Sequence, residues 1–207
     1  MTLQKAYVGM QCFWGAESSF AKLAGVLKTR VGYAGGSSAA PTYKSIGDHT
    51  EITEVIFDDS IVSYAAILDW FFSHHDPTVH RKKQYRSGIL YVNDEQKKLA
   101  EEALEKARKN FTSELETYIQ PFAEFYVAED YHQKYWLRCQ KDIHEQLQLS
   151  DQELIDSPLA AKVNAFLAGY SNFDVLKSLQ KEYNLNEALA AHIEDIAKRG
   201  GDPRACH

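Results

Sequence analysis

The sequence predicts an α+β fold, a two-layer sandwich in which helices cover a sheet, and three observations carry that expectation. Short apolar runs of strand character alternate with segments whose apolar residues recur at helical spacing. No glycine-rich dinucleotide fingerprint follows the first strand, which argues against a doubly wound parallel sheet. Beyond about residue 150 the pattern becomes helical throughout, so a main domain at 1–149 is expected to be followed by a helical extension and tail at 150–207.

The elements follow in order. Residues 7–10 are an apolar run around Gly9, and from Phe13 the apolar positions become Phe13, Ala16, Phe20, Leu23 and Ala24, which is a change from strand to helix. Residues 26–33 form a second strand with Leu27, Thr29, Val31 and Tyr33 on one face. A breaker-rich connector, Gly35-Gly36-Ser37-Ser38-Ala39-Ala40-Pro41, leads to Thr42 and Tyr43, which tertiary contacts must then place. Residues 50–57 read as a strand stopped by Asp58-Asp59-Ser60, and 63–74 as a helix capped by Ser63 with Ile67, Leu68, Phe71 and Phe72 inward. Residues 87–92 form a strand. Asn93 or Asp94 then caps a helix to about Phe111, with Leu99, Ala103, Leu104 and Ala107 as its buried stripe. Residues 117–126 are expected to hold one last strand, broken by Pro121 at an edge or bulge. Helices are expected at 135–149, 158–167, 174–183 and 187–199.

Composition narrows the function classes. Of 207 residues, 44% are hydrophobic and 25% charged, which is ordinary for a soluble globular protein. No apolar run approaches the ~20 residues of a membrane span, and Met1-Thr2-Leu3-Gln4-Lys5 lacks a leader pattern, so a cytoplasmic protein with no membrane partner is expected. A net charge of -6 argues against nucleic acid; the one basic cluster is His80-Arg81-Lys82-Lys83. The three cysteines, Cys12, Cys139 and Cys206, form neither a paired framework nor a CxxC dithiol, which suits a reducing compartment with transient disulfides. The run His74-His75-Asp76-Pro77-Thr78-Val79-His80 is not a zinc ligand set, and it is read as the end of a helix before Pro77; neither a metal nor a cofactor is called for.

Cys12 sits at or just before a helix start, where unpaired N–H groups and the positive dipole end favour an anion, here a thiolate. An ordinary cysteine, with a pKa of about 8.5, is only slightly ionised near neutrality, so that placement would raise its reactivity. The plain alternative is a buried cysteine in a strand-to-helix turn.

The run Cys12-Phe13-Trp14-Gly15 resembles the active-site signature of the methionine sulfoxide reductase A family, which reduces the S epimer of methionine sulfoxide. Further pieces of that family's pattern follow in order. They are Val31-Gly32-Tyr33-Ala34-Gly35-Gly36, Pro41-Thr42-Tyr43, Gly47-Asp48-His49-Thr50-Glu51, His75-Asp76-Pro77, Gln84-Tyr85-Arg86-Ser87 and Ala128-Glu129-Asp130-Tyr131-His132-Gln133, so the resemblance covers roughly residues 5–138. It implies that Cys12 is a nucleophile that becomes a sulfenic acid. It implies too that Glu51 protonates the sulfoxide oxygen, that Tyr43 and Tyr85 hydrogen-bond to it, and that Phe13 and Trp14 hold the S-methyl group. The expected architecture is then a sandwich with a ferredoxin-like core carrying the reductase chemistry, and the expected partners are methionine sulfoxide, free or in proteins, and thioredoxin or another thiol. Without the resemblance, Glu51 reads as a solvated carboxylate and the two tyrosines as core residues. A proton donor at neutrality needs its pKa raised from about 4.3, and burial beside aromatics is the usual means.

The sequence also departs from the family. Met10-Gln11 replaces small, glycine-rich residues before the cysteine, and the segment ahead of Gln84-Tyr85 is short. His80 stands where many relatives place an aspartate of the substrate pocket, and it is taken here as a substrate-binding residue. Resolving cysteines in a glycine-rich tail soon after Gln133 are replaced by helices. Cys206, behind Gly200-Gly201, is the candidate resolver and Cys139 the second; an external thiol is the remaining route. A thiol peroxidase or redox sensor, or a module that binds methionine sulfoxide without turnover, are the competing readings.

Overall fold

The computed structural model describes residues 2–205. The first half of the chain runs β1 (Leu3–Met10), α1 (Phe13–Phe20), β2 (Val26–Ala34), β3 (Thr50–Asp58), α2 (Tyr64–Ser73), β4 (Ser87–Tyr91) and α3 (Asp94–Arg108). These elements lie within a few residues of the periodicity that predicts them. Ser63 caps α2 by accepting from the Ala66 N–H, and Asn93 caps α3 by accepting from the Gln96 N–H, each satisfying a donor that the helix start leaves unpaired.

Among the described residues the strands form one sheet in the order β5-β4-β1-β3-β2-β6, where β5 is Tyr118–Pro121 and β6 is Phe125–Val127. Neighbours are antiparallel except β4 and β5, so the fold is α+β with a mixed sheet. The single last strand expected at 117–126 is in fact two strands on opposite edges of the sheet. Pro121 closes β5, where a missing N–H costs no ladder bond, and the chain then crosses to β2. Tyr7 stacks on Phe122 of that crossing at 4.0 Å. β6 approaches β2 so closely that any side chain at Gly32 would collide with the Tyr126 carbonyl and the Phe125 ring.

One face of the sheet buries Ala6, Val8, Val55, Phe57 and Ile89 against Phe20 of α1 and Ile67, Leu68 and Phe71 of α2. The helix expected at 135–149 is broken into α4 (Tyr135–Cys139) and α5 (Lys141–Leu147) at Gln140, whose φ of -102° and ψ of 75° are not helical. A short α6 (Asp151–Asp156), started by a Ser150–Glu153 capping box, precedes α7 (Pro158–Phe166), α8 (Phe173–Glu182) and α9 (Glu187–Lys198). A second apolar cluster, with Trp136, Leu137, Ile143, Leu154, Val163, Phe166 and Ile193, binds these helices to one another. Ala21, Ala161 and Ala165 let α7 lie close to α1. No helix among the described residues is long and apolar enough to cross a membrane.

Candidate active site

Cys12 is the N-cap of α1, half-exposed, with extended backbone (φ -68°, ψ 119°). The residue before it, Gln11, has φ 64°, a left-handed conformation that glycine adopts without penalty. Here the Gln11 side chain donates from Nε2 to the Asp76 carbonyl (3.1 Å), tying the turn to the segment after α2.

Glu51 lies at the start of β3, opposite Tyr33 of β2, and is 1% exposed. Its Oε2 accepts from the backbone N–H of Phe13 (3.2 Å), the residue immediately after the cysteine. Its Oε1 accepts from Gln84 Nε2 (2.8 Å), and the same amide donates to the Tyr85 hydroxyl (3.1 Å). Burial pushes the Glu51 carboxyl up to about 7, against the opposing pull of these two hydrogen bonds. The Tyr85 phenol is held above its ordinary value, first by burial, then by its hydrogen bond with Tyr43 and by the charges of Glu51, Tyr43 and Cys12.

These residues close around one cavity of about 290 Å³, lined by Gln11, Cys12, Phe13, Trp14, Tyr43, Glu51, Arg81 and Tyr85. The thiol, the acid, both tyrosines and both aromatics singled out in the sequence are thus together. His80 is not: its side chain is 83% exposed and its Nδ1 lies 3.0 Å from Glu116 Oε2. His80, expected as a substrate-binding residue, does not line this cavity, whereas its neighbour Arg81 does. The adjacency of the basic cluster to Gln84-Tyr85 was the signal for Arg81. Cys206 lies outside the described residues. Cys139, at the end of α4, hydrogen-bonds with Tyr135, whose ring stacks on Trp14 at 3.7 Å.

A second layer holds these groups still. Trp14 Nε1–H donates to His132 Nδ1 (3.1 Å), and the His132 ring packs between Phe13 and Tyr43, with centroids at 5.1 and 4.6 Å. Burial lowers the His132 pKa, so the ring stays neutral and can accept from the indole. Glu129 accepts from the Tyr43 N–H (2.9 Å) and the Tyr33 hydroxyl (2.7 Å), pinning the tyrosine loop against β2. That loop is also fastened by Asp48, which accepts from the N–H groups of Ser37 and Ser38 (both 2.9 Å), and by His49, which accepts from the Gly36 N–H (3.1 Å). His75 has both ring nitrogens engaged, Nδ1 at 2.6 Å from the Phe71 carbonyl and Nε2 at 2.7 Å from Ser87 Oγ, and burial lowers it to about 4. It braces the end of α2 against β4. Chemically, the cavity offers a sulfur nucleophile, a buried acid still partly protonated near neutrality, two phenol donors and an aromatic wall.

Comparison with known proteins agrees with this chemistry. A family model described as "Peptide methionine sulfoxide reductase" matches residues 4–162. The chain is 43% identical over 181 residues to a peptide methionine sulfoxide reductase of Drosophila melanogaster, covering 86% of this chain and 74% of that protein. It is 46% identical over 147 residues to peptide methionine sulfoxide reductase MsrA of Methanosarcina acetivorans, covering 65% and 78%. Among solved structures it resembles reduced Mxr1 from Saccharomyces cerevisiae, with a TM-score of 0.63 and 27% identity over 67% of this chain and 86% of that one. The structure of Mxr1 in complex with Trx2 matches with a TM-score of 0.51 and 25% identity over 62% and 82%.

Proposed function

The chain belongs to the peptide methionine sulfoxide reductase family, and from that premise we propose that it reduces methionine S-sulfoxide to methionine at Cys12, with Glu51 as the acid. The carrying observation is a fully buried carboxyl in the cavity wall beside Cys12, hydrogen-bonded to the amide next to the thiol, where burial pushes its pKa up to about 7. The Cys12 sulfur, as thiolate, attacks the sulfoxide sulfur while Glu51 gives its proton to the oxygen. Tyr43 and Tyr85 donate to that oxygen as negative charge grows on it, and the S-methyl group rests on Phe13 and Trp14. The oxygen passes to Cys12 as a sulfenic acid and methionine leaves; the substrate sulfur gains the two electrons that the cysteine loses. A resolving thiol then attacks the sulfenic sulfur, releasing the oxygen as water and forming a disulfide with Cys12, and a reducing dithiol breaks that disulfide to restore the Cys12 thiol. Cys206 is our first choice as the resolving thiol within the chain, and Cys139 the second. Thioredoxin is the proposed final donor, in line with the Mxr1–Trx2 complex.

The strand order β4-β1-β3-β2 within the succession β1-α1-β2-β3-α2-β4 supports a ferredoxin-like core for this site. We assign the reductase chemistry to 1–149, the helical extension to 150–207, and the protein to the cytoplasm. The test is a mass measurement after one equivalent of methionine S-sulfoxide, without thiol. The wild type should yield one methionine per chain and either gain one oxygen at Cys12 or, once a thiol of the chain resolves it, lose two hydrogens to a disulfide, and Cys12→Ser should do none of these. Undiminished reduction by Cys12→Ser would overturn the reading.

A further inference from the structure

We propose that Arg81 makes this reductase select sulfoxides that carry a carboxylate close to the reacting sulfur. The inference rests on the reading above and adds the recognition of the rest of the substrate. The cavity is lined by one formally cationic side chain, Arg81, and one carboxyl, Glu51, which is uncharged below about pH 7. A methionine sulfoxide whose S-methyl end meets Phe13 and Trp14 directs its α-carbon toward the mouth. There an exposed guanidinium offers a fork of donors that fits a carboxylate with two parallel hydrogen bonds.

Hydrogen bonds fix the loop on both sides of Arg81. Ahead of it, the Pro77 carbonyl accepts from the Glu116 N–H (2.7 Å) and His80 is drawn to the Glu116 carboxylate (3.0 Å). Behind it, the Lys82 carbonyl accepts from the Tyr85 N–H (2.8 Å), and the Lys83 carbonyl accepts from Thr50 Oγ1 (2.9 Å), next to Glu51. The loop thus anchors on the strand that carries the acid. Asp76, the acidic neighbour that feels the Arg81 charge, already accepts from the Thr78 N–H (2.9 Å) and Oγ1 (2.6 Å) and is not part of the cavity wall. His80 is, on this view, a positioning residue: its pairing with Glu116 leaves Arg81 facing the substrate.

A carboxylate within reach of Arg81 can be the α-carboxylate of free methionine S-sulfoxide or the side chain of an acidic residue beside it in a peptide. Three S-sulfoxide substrates separate these sources: free N-acetylmethionine sulfoxide, its neutral amide, and a blocked peptide with aspartate after the methionine sulfoxide. The wild type should prefer the free acid, the aspartyl peptide or both over the amide by about tenfold in kcat/KM, and the preference should shrink with added salt. Arg81→Gln should bring that ratio to about one, with the loss falling on KM rather than kcat, and Arg81→Lys should restore part of it. A ratio unchanged in Arg81→Gln, or an equal loss on all three substrates, would overturn the assignment. Failure of the wild type to reduce any of the three would instead count against the proposed function.

Discussion

At the scale of single residues, the decisive quantity is the protonation of Glu51. Its carboxyl is raised from 4.5 to about 7, so the fold binds that proton more tightly than the unfolded chain does. The linked stability is fully present below pH 4.5 and is lost as the pH rises through about 7. With ~1.4 kcal/mol per pH unit, an ionised Glu51 costs the fold on the order of 3 kcal/mol. Glu51→Gln keeps the side chain's size without the charge, although its single carbonyl oxygen can accept from only one of the two donors, the Phe13 N–H or Gln84 Nε2. It should therefore be more stable than the wild type at pH 9 in urea titrations, with the two converging near pH 5, while sulfoxide reduction falls by about 10²- to 10⁴-fold. Wild-type single-turnover rates should fall as the pH rises through about 7, and parallel stability curves for the two proteins would show that burial does not set this proton. Cys12, Tyr43, Glu51 and Tyr85 were readable in the sequence because each stands inside a local motif. Their setting was not: Glu51 reads as solvated until β2 and α1 close over it, and His80 stands outside the cavity that Arg81 lines, its imidazole beside Glu116, 36 residues away. Gln11 marks a similar limit, since only the backbone shows its φ of 64°, a conformation that glycine reaches without penalty.

At the scale of elements, apolar periodicity located β1 to β4 and α1 to α3, since each buries one face on the same core. It failed where a long-range partner decides the outcome. The break between β5 and β6 depends on which sheet edge each finds, and α4 ends at Gln140 because the chain must turn to enclose the second cluster. The join between α1 and α4 is the least legible of all. Lys134, in a polar stretch that suggests a solvated face, is fully buried with φ 53°. Its ammonium donates to Glu17 Oε1 (2.9 Å), the Thr29 carbonyl (2.7 Å) and the Ile155 carbonyl (2.9 Å), and its backbone N–H donates to Glu17 Oε2 (2.8 Å). One side chain thus links α1, β2 and the end of α6. Lys134→Met strands the Glu17 charge in the interior and should cost about 3–5 kcal/mol in chemical denaturation, whereas adding Glu17→Gln should recover much of that loss. A double variant no more stable than the single one would mean that the backbone at Lys134, and not the charge pair, is what matters.

At the scale of the whole molecule, the contacts decide whether the C-terminal helices are an appendage or part of the same cooperative unit. Lys22, just beyond α1, donates to the Ala168 carbonyl at the end of α7 (2.8 Å), while Lys162 of α7 donates to the carbonyls of Ala21 (2.7 Å) and Leu23 (3.1 Å) at the end of α1. Each helix thus supplies the cation for the other's negative end, and burial lowers Lys162 to about 8. Trp14, in the wall of the catalytic cavity, stacks on Tyr135 and packs against the same apolar cluster that holds α5 to α9 together. Cutting the chain after Leu149 would leave Trp136, Leu137, Ile143 and Leu147 without their partners Val163, Phe166 and Ile193, and would remove the Ile155 carbonyl from Lys134. The full chain should therefore melt in a single transition seen alike by circular dichroism and by tryptophan fluorescence. A protein ending at Leu149 should lose that cooperative transition, and with it turnover of methionine sulfoxide, because α1 then lacks its bracing on one side. A truncated protein that melts cooperatively and keeps full activity would show instead that the helices beyond α5 are an independent addition and that the sheet, α1 and α2 suffice to hold Cys12 against Glu51.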